Sequence, residues 1–103
     1  MVALIEKHLS EIRQICSKFN VSRLELFGSA VVSDGFDEKS SDIDFLVEFR
    51  PLKQGRHADT YFGLLEALKN LLGRDVDLIM TKAIKNPYFL QEINQKRLVL
   101  YAA

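Results

Sequence analysis

Asp42 and Asp44 stand two residues apart in SSDIDFLVEF, at the mouth of a run from Ile43 to Phe49 that is almost all apolar or β-branched. A strand has a period of two, so both carboxylates face the same side. Like charges at the edge of an apolar strand repel and cost stability unless something positive sits between them. A hard divalent cation with oxygen ligands meets that need. Asp77 repeats the pattern in VDLIM, between Val76 and Leu78, where an apolar residue is expected. If the strands of Asp44 and Asp77 are neighbours in register, three carboxylates converge. Such a trio can hold two Mg²⁺ ions roughly 3.5–4 Å apart, the arrangement used for in-line displacement at phosphorus.

Gly28-Ser29 supplies the other half of such a site. It closes the apolar segment RLELFGS, residues 23–29. A glycine directly after a strand lets the backbone approach a phosphate closely. If a helix starts at Ser29 or Ala30, its free N–H groups and positive dipole end face an anion, and the serine hydroxyl adds a donor. Each feature alone is ordinary: Gly-Ser is a common turn, and carboxylates at strand ends are usually solvated. Their joint presence is what points to a metal-bound triphosphate.

The elements that must position these residues are legible as periodicities. Ile5, Leu9, Ile12, Cys16 and Phe19 form one apolar stripe, which predicts an amphipathic helix over residues 4–19, closed by Asn20. RLELFGS (23–29), IDFLVEF (43–49) and VDLIM (76–80) read as strands, the second central and covered on both faces. Residues 57–72 predict a second helix, with Tyr61, Leu64, Leu65, Leu68, Leu71 and Leu72 on one face and Gly73 as its stop. A last helix is expected over 88–97 and a final strand over 98–101. This alternation predicts an α/β (α+β) domain spanning residues 1–103, with flanking helices on a mixed sheet of about four strands.

LFGSA, SSDIDFLVEF and VDLIM in that order resemble the polymerase-beta-type nucleotidyltransferase superfamily, and within it the minimal nucleotidyltransferase (MNT) proteins. The resemblance runs from the first helix to the TKAIK segment after the third strand. It implies that Asp42 and Asp44 ligate two Mg²⁺ ions and the nucleotide triphosphate. Asp77 would ligate the catalytic metal and help deprotonate the attacking hydroxyl, while Gly28 and Ser29 hold the phosphates. The implied reaction is transfer of a nucleoside monophosphate, AMP from ATP, with loss of pyrophosphate. Larger relatives carry an acceptor-binding domain for which 103 residues leave no room, so a partner is expected to present the acceptor. In MNT systems that partner is often a small helical HEPN ribonuclease, to which the MNT protein is the antitoxin.

Two departures stand out. Twelve residues, 30–41, separate Ser29 from Asp42, more than is usual in the family, and Val32 occupies a position where the family often carries arginine. Lys39 is a candidate substitute. These departures keep open a binding module that neutralises its partner by covering it. A transferase acting on a small molecule is a further alternative, its acceptor pocket completed by a homo-oligomer.

Composition narrows the classes. The chain has 103 residues, 48% hydrophobic and 27% charged, with 14 basic and 14 acidic side chains. That size supports one core. The charge balance gives no basic excess, so direct nucleic-acid binding is not expected. A single cysteine, Cys16, allows no internal disulfide and is placed on the helix stripe as a core residue. The first residues lack the layout of a signal peptide, and no apolar run approaches the ~18 residues needed to span a bilayer, so a cytoplasmic location is expected. His8 and His57 have no second ligand at metal spacing, and the loop carrying Asp34, Asp37 and Glu38 does not follow a calcium-binding pattern.

Overall fold

The computed structural model describes residues 2–28, 31, 42–84, 86–88, 91 and 97–103. Four strands form one mixed sheet: β1 (Val21–Phe27), β2 (Ile43–Phe49), β3 (Val76–Met80) and β4 (Arg97–Ala102). Their order is β3-β2-β1-β4, with β1 antiparallel to both β2 and β4, and β2 parallel to β3. The parallel pair requires a crossover, which the helix α3 (His57–Leu72) supplies. Two shorter helices, α1 (Ala3–Lys7) and α2 (Leu9–Lys18), precede the sheet.

Alternation along the strands gives the sheet two unlike faces. Leu24 and Leu26 of β1, Ile43, Phe45 and Val47 of β2, and Leu78 of β3 are buried together with Ile5, Ile12, Cys16, Leu64 and Leu68 of the helices. Each such aliphatic or aromatic side chain contributes about 1.5–3 kcal/mol on burial. The opposite face holds a smaller apolar group, Phe27 and Leu46 with Ile79 and Ile84 against them. β2 is an inner strand as expected, but only one of its faces is continuously apolar: on the other, Leu46 stands between Asp44 and Glu48.

The second helix matches its sequence signature end to end, and Gly73 closes it at φ 67 with its N–H on the Lys69 carbonyl, 2.8 Å. The first does not run unbroken. His8 leaves helical geometry (φ −108, ψ 12) and splits residues 4–19 into α1 and α2; its ring Nδ1 lies 3.0 Å from Glu11 Oε2. The break lets Val2 and Ile5 reach the core alongside Ile12. Asn20 closes α2 in the left-handed region, φ 59. β1 starts earlier than residue 23 and ends at Phe27, because Gly28 turns out of extended geometry. The helix expected over 88–97 falls largely outside the described residues, and Arg97 belongs to β4. Among the described residues no helix is long and apolar enough to cross a membrane.

α2 and α3 meet through Phe19 and Gly63. A Cβ at Gly63 would lie 2.6 Å from the Phe19 ring. Gly63→Ala gains about 0.5–1 kcal/mol of helix preference against about 1–3 kcal/mol of overpacking. The expected result is a lower urea midpoint, recovered when Phe19→Leu is added.

Candidate active site

Asp44 is the second residue of β2 and Asp77 the second residue of β3, and the parallel register sets them directly opposite one another. Paired residues in a ladder project to the same side. Asp42, two residues before Asp44, is exposed at the same end of the strand. β1 arrives antiparallel with Phe27 opposite Asp44, and β4 sets Arg97 opposite Phe27. One row therefore crosses all four strands as Asp77, Asp44, Phe27 and Arg97.

Gly28 follows Phe27 and turns at φ 80. A Cβ built there would stand 2.9 Å from Asp44 Oδ2, so the turn's backbone runs against that carboxylate. The Val31 N–H donates to the Gly28 carbonyl at 3.2 Å, which folds the chain back at once. Positive φ and absent room together make glycine a requirement here. Gly28→Ala is expected to push the Asp44 carboxylate from its place and weaken nucleotide binding by about tenfold or more, measured by calorimetry against wild type.

Asp44 is half-buried, and its carboxyl is pushed up to about 6, first by burial, then by the charges of Asp77 and Asp42. Asp77 and Asp42 are thus close enough for their charges to oppose the ionisation of Asp44. The ion pairs of His8 with Glu11, and of Arg23 and Arg97 with Glu25, do not include these three carboxylates. In chemistry the donor set fits a hard divalent cation, since it consists of oxygen anions on one face that repel in its absence. Among the described residues, however, no three His, Cys, Asp or Glu side chains already converge as a metal cage. Ligation by all three would require their side chains to turn inward.

Tyr61 was placed by periodicity on the apolar face of the helix, yet its hydroxyl has a second role. It donates to the Leu78 carbonyl, next in the chain to Asp77, and its pKa is raised by burial and then by the Asp77 charge. The sequence signal was a tyrosine in a leucine stripe, whose hydroxyl must find a partner when covered. Ser29, Val32, Lys39 and the acidic loop of Asp34, Asp37 and Glu38 lie outside the described residues. Cys16 is fully buried, and burial pushes its thiol up to about 12, which leaves it inert as a nucleophile.

The nucleotidyltransferase domain family matches residues 9–100, a stretch that includes Gly28 and all three aspartates. This chain belongs to that family. The nucleotidyltransferase domain is 37% identical over 97 residues to a protein of Methanocaldococcus jannaschii provisionally designated a protein adenylyltransferase, covering 86% of this chain and 94% of the relative. It is also similar to a solved structure provisionally described as a minimal nucleotidyltransferase, with TM-score 0.70 and 26% identity over 91% of this chain and 90% of the other. The fold recurs in a chain from the complex of a tri-AMPylated Shewanella oneidensis HEPN toxin with an MNT antitoxin. That match has TM-score 0.64 and 18% identity over 95% of this chain and 72% of the other.

Proposed function

We propose that this nucleotidyltransferase domain transfers AMP from ATP to a hydroxyl on a partner protein, and that the partner is a HEPN-type toxin to which it is the antitoxin. The observation that carries this reading is the in-register pair Asp44 and Asp77, with the Gly28 turn set against Asp44. The adenylyltransferase designation of the M. jannaschii relative and the AMPylated toxin in the S. oneidensis complex support the choice of AMP and of partner.

Asp42, Asp44 and Asp77 would hold Mg²⁺, which when bound screens the triphosphate charge and favours departure of pyrophosphate. The Gly28 backbone, with Ser29 beside it, binds the phosphates where no side chain blocks approach. Asp77, exposed on the outer strand, is reachable by an incoming hydroxyl and takes its proton. The hydroxyl oxygen forms a bond to the α-phosphorus as the bond to the β-phosphate oxygen breaks. Tyr61 steadies the outer strand through the Leu78 carbonyl.

Two observations favour a second reading. The carboxylates are not gathered into a metal cage among the described residues, and Val32 stands where the family often has arginine. A catalytically weak module that neutralises its partner by covering it fits both facts. The two readings part on one experiment, incubation of the chain with a cognate HEPN-type partner and α-labelled ATP in Mg²⁺. The transferase labels the partner, and Asp44→Asn abolishes both labelling and neutralisation while the complex persists. Neutralisation that survives in Asp44→Asn without any label sinks the transferase reading.

A further inference from the structure

The amino ends of β2 and β3 carry the carboxylates; their carboxyl ends open on a cavity of about 490 Å³. Asp44 and Glu48 are four residues apart on β2, about 13 Å along an extended strand, so the cavity is separate from the candidate active site. Its volume lies within the roughly 300–1,000 Å³ of small-molecule sites. The crevice outside the carboxyl ends of parallel strands is also where open α/β sheets commonly hold ligands.

The lining is divided by chemistry. Phe49, Leu52 and Met80 form apolar wall, while Arg50, His57 and Lys82 bring cationic or protonatable nitrogen against the single carboxylate of Glu48. Arg50 follows β2, Lys82 lies in the 3₁₀ turn Thr81–Ala83 after β3, and His57 begins α3, so three separate segments contribute a basic residue to the lining of one cavity. Among the described residues none of the three is in an ion pair. This is the reverse of the acidic end: a basic site needs no metal to receive a phosphate, and a guanidinium matches phosphate oxygens in a fork.

We propose that this cavity is a metal-independent site for a mononucleotide. The phosphate monoester lies against Arg50 and Lys82, and the flat base lies on Phe49, Leu52 and Met80. The test is a titration of the full chain with AMP in EDTA, followed by backbone amide shifts and calorimetry, with adenosine and inorganic phosphate as separate arms. The expected result is amide shifts concentrated at Phe49, Leu52, Met80 and Lys82. Binding is expected to be weaker by about tenfold or more for adenosine, for phosphate alone and for Arg50→Ala/Lys82→Ala. Lys82→Gln, a change at an exposed turn, gives the same direction where the double variant fails to fold. AMP binding that shifts Gly28 and Asp44 instead, or that is unchanged in both variants, overturns the site. So does the absence of binding at millimolar AMP. Phosphate or adenosine binding as tightly as AMP overturns the mononucleotide assignment.

Discussion

Asp44→Asn is expected to raise the melting temperature of the metal-free protein near pH 8 while lowering nucleotidyl transfer by about 10³-fold. The two effects share one cause. Folding moves the Asp44 carboxyl from an ordinary 3.8 to about 6, because burial and the charges of Asp77 and Asp42 all oppose ionisation. The folded state therefore binds a proton more readily than the unfolded one. Stability falls as pH rises through the window from 3.8 to 6, and the full cost of the charge is present above it. Discounted for a group only half-buried, that cost is about 1 kcal/mol, or roughly 4–8 °C in a domain of this size. Asparagine keeps the shape and removes the charge. The gain should shrink towards zero near pH 4, where the wild-type carboxyl is already protonated. Thermal melts of both proteins in EDTA at pH 4 and pH 8 check this. A variant less stable than wild type at pH 8 would mean that Asp44 is not held against repulsion.

Glu25→Ala is expected to be the most destabilising single substitution on the acidic face of the sheet. Glu25 is only 2% exposed, and its two carboxylate oxygens receive Arg23, at 2.8–2.9 Å, and Arg97. Breaking a buried pair from one side costs about 3–5 kcal/mol, because charge is left without compensation. Here Arg23 and Arg97 keep partial access to water, with side chains 45% and 28% exposed, so a value of about 2–3 kcal/mol is expected. β1 and β4 are joined through this group, and Arg97 shares the cross-sheet row with Asp44. Urea unfolding measures the loss; a midpoint within error of wild type would show that the two arginines are satisfied without Glu25.

The sequence pattern placed β2, β3 and α3 at their observed boundaries, because each is a long uniform signal between clear stops: Pro51 after β2, and Gly73 between α3 and β3. Asp42, Asp44 and Asp77 were visible for the same reason, as acids set into apolar runs. The register that brings Asp44 opposite Asp77 was not visible, since strand pairing depends on the crossover through α3 and not on either strand alone. The break at His8 was hidden because apolar spacing continues across it from Ile5 to Ile12 while the backbone does not. Glu25 gave no signal in the sequence, because its buried carboxylate is met by Arg97, 72 positions later in the chain. The basic cavity was likewise illegible, because Arg50, His57 and Lys82 are spread over three elements and sit in a chain with no excess of positive charge.

The most direct test of the central claim is calorimetric titration with ATP, with and without Mg²⁺, into protein with and without Asp42→Ala/Asp44→Ala, each also carrying Arg50→Ala/Lys82→Ala to weaken the basic cavity. The expected result is Mg²⁺-dependent binding in the otherwise wild-type protein that disappears when the two aspartates are replaced. Binding that is indifferent to Mg²⁺ and to both carboxylates would contradict a metal-dependent nucleotidyl-transfer site at Gly28, Asp42, Asp44 and Asp77.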